Sequence, residues 1–212
     1  ARALIAAPEI GYVSFTGSIK GGLAVYQEVA KRVLGIGLEL GGKDAAYVRA
    51  DADLDFAVRN TAEGAFYNAG QSCCAIERLY VADSVYDAFV ERFVDVVSRE
   101  WRIGDPQVEE TSVGAMALPD APDVLGAQVV DAVERGGRLL LGGEKTQVDG
   151  KGRFFEPTVI AEATEEMLLM RDESFGPVIG IARVRDDQEA TQRINGSRYG
   201  LTASIWTRDR AK

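Results

Sequence analysis

Apolar positions along the chain keep switching between a helical and a strand rhythm. Residues 13–15 read as a short strand. Over residues 22–33, Leu23, Tyr26, Val29, Ala30 and Val33 recur at helical spacing. Residues 34–40 follow as a buried strand loosened by Gly35 and Gly37. A second helix is expected over 53–68, capped by Asp51 or Asp53, with Leu54, Ala57, Val58, Ala62, Ala65 and Phe66 as its apolar stripe. Residues 79–82 read as a strand. A third helix over 84–100, capped by Ser84, carries Val85, Phe89, Phe93 and Val97 on one face.

Residues 123–134 form a further predicted helix, stopped by Gly136 and Gly137. A strand is expected over 139–141, a polar turn or hairpin tip over 145–153, and strands over 155–160 and 178–184. A helix over 187–194 and a strand over 203–207 complete the pattern. Strands that alternate with helices this long predict βαβ units and a mostly parallel sheet, an α/β fold. In such sheets ligands are expected at the carboxyl ends of the strands. The best internal boundary is at Gly41 and Gly42.

Composition narrows the chemistry. The 212 residues are 46% hydrophobic and 27% charged, with net charge −9. Such acidity repels phosphate backbones, so no nucleic-acid partner is expected. No apolar run reaches the roughly 20 residues that span a bilayer, so no membrane partner is expected either. The only cysteines, Cys73 and Cys74, are adjacent and make no disulfide framework, which points to a reducing, cytoplasmic setting. There is no histidine. That removes Ser–His–Asp and Cys–His hydrolases and histidine-held metals, and no metal site is expected.

Four segments can carry chemistry. The first is Asn68-Ala69-Gly70-Gln71-Ser72-Cys73-Cys74-Ala75, between a predicted helix and strand. A cysteine is often a small core hydrophobe, but Gly70 and Gln71 are poor core material, and a thiolate here would be a nucleophile. The second is Leu38-Glu39-Leu40-Gly41-Gly42-Lys43. Strand alternation puts Glu39 opposite Leu38 and Leu40, either as an exposed strand-end carboxylate or as a base facing a cleft. The third, Phe15-Thr16-Gly17-Ser18-Ile19-Lys20-Gly21-Gly22, is a Gly-rich turn from strand to helix, where backbone N–H groups can hold a phosphate. The fourth is Glu173-Ser174-Phe175-Gly176-Pro177-Val178, where Glu173 and Phe175 could grip a ribose and a flat ring.

Together and in this order, the segments resemble the aldehyde dehydrogenase superfamily. Phe15-Thr16-Gly17-Ser18 resembles its pyrophosphate-side turn, Glu39-Leu40-Gly41-Gly42-Lys43 its general-base motif and Gly70-Gln71-Ser72-Cys73 its nucleophile motif. Glu173-Ser174-Phe175-Gly176-Pro177 resembles its nicotinamide-ribose motif, and Tyr199-Gly200-Leu201 a later family segment. The likeness runs from about Pro8 to Trp206. It is poorest around Met116 to Pro122, and Asp44-Ala45 departs from the family's usual wording after the lysine.

The resemblance implies a three-layer α/β fold of the aldehyde dehydrogenase catalytic-domain type. Residues 1–40 would be the end of the Rossmann-like dinucleotide-binding domain, and 41–212 the catalytic domain, cut short at its C-terminus. It implies oxidation of an aldehyde to a carboxylic acid with NAD or NADP, with Cys73 as nucleophile and Glu39 as base. Gly17, Ser18, Gly22, Leu40, Gly41, Glu173 and Phe175 would bind the cofactor. Cys73 would pass through a thiohemiacetal and a thioester, which water activated by Glu39 hydrolyses. Phe66, Tyr67 and Ser72 would line a partly aromatic tunnel. The parent would be a homo-oligomer more than twice this length, and the 212-residue piece alone would be inactive, lacking an oxyanion-hole asparagine. A CoA-acylating semialdehyde dehydrogenase and a non-catalytic module are the alternatives; a cysteine hydrolase would lack its histidine.

Overall fold

The computed structural model describes residues 2–209. The chain divides into two compact units, Ala1–Gly41 and Gly42–Lys212.

The first unit runs α1 (Arg2–Ala6), β1 (Tyr12–Thr16), α2 (Ile19–Val29) and β2 (Gly35–Glu39). The strands pair in parallel, from Tyr12 opposite Gly35 to Thr16 opposite Glu39, with α2 as the crossover. Helix α2 begins three residues before the sequence pattern predicts. Ser18 sets its start, because its side chain accepts from the Gly21 N–H at 3.1 Å. Leu23 and Tyr26, expected on the packed face of α2, are exposed; Gly22 and Val29 are the residues it buries.

The second unit runs β3 (Asp44–Val48), α3 (Leu54–Phe66), β4 (Ile76–Ala82), α4 (Asp83–Glu100), α5 (Ala121–Glu134), β5 (Arg138–Leu141), β6 (Lys145–Val148), β7 (Lys151–Phe155), β8 (Thr158–Ala161), α6 (Leu168–Arg171), β9 (Val178–Val184), α7 (Asp187–Asn195) and β10 (Ala203–Trp206). Among the described residues its main sheet has six strands in the order β10-β3-β4-β9-β8-β5. All neighbours are parallel except the edge strand β5, which runs against β8. The central strands are buried on both faces, so alternate side chains feed two cores. Ala46, Val48, Leu79, Val81, Ile179 and Ile181 pack under α3 and α4. Ala45, Tyr47, Tyr80, Val178 and Ala182 pack under α5, α6 and α7. The result is the three-layer α/β fold expected.

Helix α3 is capped by Asp53, which accepts from the Phe56 N–H at 3.2 Å. Helix α4 starts at Asp83 with no side-chain cap, so Ser84 does not serve as one. The sequence pattern predicts one strand over 155–160. Pro157 has no N–H to give a ladder, and the chain splits there into β7, which pairs with β6, and β8, which joins the main sheet. Strand β3, an inner strand between β10 and β4, has no counterpart among the predicted strands. No helix among the described residues is long and apolar enough to cross a membrane.

Two buried tyrosines make the fold sensitive to alkali. The Tyr80 hydroxyl donates to Glu165 at 3.1 Å, and the Tyr86 hydroxyl to the Ile181 carbonyl at 3.1 Å. Burial pushes both phenols from 10.0 up to about 12. Between those values the unfolded chain has released protons that the folded chain keeps, so stability is intact below pH 10 and falls as pH rises towards 12. Denaturant midpoints measured from pH 9 to 11 are expected to drop above about pH 10, and Tyr→Phe at both positions to flatten the drop.

Candidate active site

In the second unit the chemistry-bearing segments precede strands rather than follow them. Gly42 and Lys43 lead into β3, residues 67–75 into β4, 172–177 into β9 and 199–202 into β10. These strands are neighbours in the sheet, so the four segments meet at its amino end. They lie at the end opposite to the carboxyl ends, where ligands are expected from the α/β pattern. Strand β4 passes straight into α4, and β9 reaches α7 after two residues.

The cysteine loop departs from α3 at Phe66. That ring is fully buried, 6.3 Å from the Phe93 centroid and 5.7 Å from that of Trp101, so it belongs to the core and lines no tunnel. Three left-handed residues follow, Asn68 (φ 51°), Ala69 (φ 55°) and Gly70 (φ 68°). A left-handed non-glycine residue costs roughly 1–2 kcal/mol, and local hydrogen bonds offset part of it. The Asn68 amide donates to the Gln71 carbonyl at 2.9 Å. The Gln71 side chain accepts from the Ala117 N–H at 2.7 Å and donates to the Ala115 carbonyl at 3.3 Å.

Two glycines let this loop lie against its neighbours. A Cβ on Gly70 would run into the Gly176 carbonyl and the Pro177 nitrogen, and one on Gly42 into the carbonyl of Cys73. Backbone thus packs on backbone where the motifs meet.

Cys73 is half-buried and Cys74 exposed; both are free thiols. Burial, and then Cys74, push the Cys73 thiol up, while the N–H groups of residues 73 and 74 pull it the other way. The Ser72 hydroxyl 3.3 Å away and the Tyr67 hydroxyl 3.5 Å away hold the Cys74 thiol below its ordinary value. Tyr67 also donates to Ser72, so these two side chains form a polar wall beside the thiols.

Glu173 is half-buried, and one carboxylate oxygen accepts from the Gly42 N–H at 3.0 Å. Burial pushes its carboxyl up, and the Gly42 N–H opposes this. Its own N–H donates to the Tyr199 hydroxyl at 3.3 Å. Phe175 presents an exposed ring from a left-handed backbone (φ 47°). Behind them, Lys43 and Glu77 form a buried ion pair at 2.5 Å. The Glu77 carboxylate also accepts from the N–H groups of Ser174 at 2.8 Å and Phe175 at 2.9 Å, and Lys43 donates to the Ser174 hydroxyl at 3.0 Å. Burial pulls the Lys43 ammonium down, and Glu77 opposes it. The sequence reading assigns neither residue a part. The available signal was a carboxylate at the start of an apolar strand, four residues after Cys73.

In the first unit, Gly17 and Ser18 make the turn from β1 into α2, and the Gly17 N–H donates to the Glu39 carbonyl at 3.0 Å. Gly22 is buried beneath the Leu40 side chain, whose methyl groups a Cβ there would have to displace. Glu39 ends β2 with its side chain exposed, and Leu40 and Gly41 are half-buried. Here the segments do lie at the carboxyl ends of the strands. An eleven-residue helix that starts in a glycine turn suits a phosphate. In the second unit, a carboxylate with one oxygen anchored, next to an exposed aromatic ring, suits a ribose diol and a flat heterocycle. Taken unit by unit, these residues fit the phosphate part and the nicotinamide-ribose part of a nicotinamide dinucleotide.

The second unit is thus a three-layer α/β domain with a thiol loop and a half-buried carboxylate at the amino ends of its strands. The chain belongs to the aldehyde dehydrogenase family, whose pattern matches residues 1–212. It is similar to the NAD(P)+ succinate semialdehyde dehydrogenase Sad of Escherichia coli (strain K12), 40% identical over 94% of this chain and 43% of that protein. The NADP+ succinate-semialdehyde dehydrogenase of Mycolicibacterium paratuberculosis is 38% identical over 97% of this chain and 43% of that protein. The crystal structure of an NAD-dependent aldehyde dehydrogenase from Sinorhizobium meliloti matches with a TM-score of 0.93 and 38% identity, over 99% of this chain and 41% of that one. The chain thus spans less than half the length of these relatives.

Proposed function

We propose that the protein carrying this chain oxidises an aldehyde to a carboxylic acid with NAD+ or NADP+, and works as a homo-oligomer in the cytoplasm. One observation supports this most. Gly42 is touched by the Cys73 carbonyl and gives its N–H to the Glu173 carboxylate, so the nucleophile loop and the ribose clamp converge on one glycine.

The Cys73 thiolate adds to the aldehyde carbon, and the C=O electron pair moves to oxygen to give a thiohemiacetal. The nicotinamide, when bound, supplies the hydride acceptor. Loss of hydride from that carbon leaves a thioester on Cys73. Glu39 takes a proton from water, the water oxygen attacks the thioester, and the acid departs as the Cys73 thiolate is released. Glu173 and Phe175 hold the ribose and ring, and Gly17 and Ser18 the phosphates. Gly22, Leu40 and Gly41 shape the first unit's backbone beside the phosphate turn.

Succinate semialdehyde, named for two relatives, is the first substrate to test. The full-length protein is expected to release free acid and reduced cofactor in equal amounts, with or without CoA. Glu39→Gln is expected to keep the first burst of reduced cofactor and slow later turnover by about 100-fold or more. An acyl-CoA product would overturn the hydrolytic step; no cofactor reduction with any aldehyde would overturn the reading itself.

A further inference from the structure

We infer that Glu77, held by Lys43, is a positioning residue that sets the backbone of Ser174 and Phe175 so that Glu173 and Phe175 can grip the cofactor. The inference rests on the reading of those two residues given above.

Lys43 and Glu77 are 1% and 3% exposed. A buried ion pair adds little net stability, because desolvating both charges offsets their attraction. Packing alone therefore does not account for this one, but its remaining hydrogen bonds do. Two successive N–H groups, from Ser174 and Phe175, converge on the Glu77 carboxylate at 2.8 and 2.9 Å. Successive backbone N–H groups that converge in this way form a cradle for an anion. The cradle includes the left-handed Phe175, a conformation that persists only where the surroundings enforce it. Lys43 completes the set through the Ser174 hydroxyl at 3.0 Å. The pair thus joins three strands just behind the site. Lys43 precedes β3, Glu77 lies on β4 four residues beyond Cys73, and Ser174 precedes β9.

The test compares the full-length protein with its Glu77→Gln variant, whose amide can accept at only one end. Amide hydrogen exchange is followed over residues 172–177, with 178–184 as the internal reference. Exchange at Ser174 and Phe175 is expected to rise at least ~10-fold while the reference is unchanged. The Kd of the nicotinamide dinucleotide is expected to rise at least ~10-fold, with Cys73 alkylation, read in a Cys74→Ser background, within about twofold. Unchanged exchange overturns the positioning role. Raised exchange with unchanged Kd overturns the assignment of the clamp to the cofactor. No dinucleotide binding by the parent overturns the proposed function instead. If the single variant does not fold, Lys43→Met/Glu77→Gln, which leaves no unpaired buried charge, is read in the same way.

Discussion

Replacing Cys73 by alanine is expected to lower aldehyde turnover at least ~1000-fold, and Cys74→Ala to change it by less than about threefold. The structure makes this contrast informative, because acidity and position point to different sulfurs. Cys74 is the thiol lowered by Ser72 and Tyr67, whereas burial raises Cys73. If thiolate population decided the nucleophile, Cys74 would react. Position outweighs acidity when a carbonyl is held in place, since alignment is worth about 7–11 kcal/mol in favourable cases. The Cys73 backbone lies against Gly42, the residue that also anchors Glu173. Nucleophilicity also falls as thiol acidity grows, which narrows the advantage of Cys74. Steady-state cofactor reduction, with trapping of the acyl-enzyme by mass, checks this. If Cys74→Ala abolished turnover and Cys73→Ala did not, the assignment would pass to Cys74.

Gly70→Ala is expected to destabilise the protein by about 3 kcal/mol and to lose cofactor affinity as well. Two penalties add. Gly70 is left-handed at φ 68°, where a Cβ is strained, and that Cβ would meet backbone atoms of Gly176 and Pro177. Backbone cannot swing aside as a side chain can, so one of the two loops must move, carrying either Cys73 or Glu173 with it. Gly136→Ala is the control. Gly136 is also left-handed, at φ 93°, but nothing lies within 4 Å of its added Cβ. That variant should show only the backbone penalty, about 1 kcal/mol. Urea melts measure both. Equal losses in the two variants would show that the contact between the loops is slack.

Several parts of the molecule were legible before folding. Helices α3 and α4 were, because their apolar stripes repeat with the helical period and Asp53 caps the first. Strand β9 was legible as a short continuous apolar run, and the α/β alternation as runs of that kind set between helical stripes, each local to a few turns or residues. The four segments could also be located, because their wording and order resemble the motifs of the aldehyde dehydrogenase superfamily; by residue type alone each left a structural reading open.

Other features depended on residues far apart in sequence. Strand β3 is Asp-Ala-Ala-Tyr-Val, weak in strand-forming residues, and becomes a strand because β4 and β10 flank it and both of its faces are covered. Phe66 looked like a pocket wall and proved to be core, since α4 and Trp101 close over it. The pairing of Lys43 with Glu77, and of both with Ser174, spans up to 131 residues. Residue type and period set what each stretch can form alone. Which strands neighbour one another, which sheet end holds the chemistry-bearing segments and which charges meet in the dark are settled only by long-range packing, because those free energies arise from contacts that no local window contains.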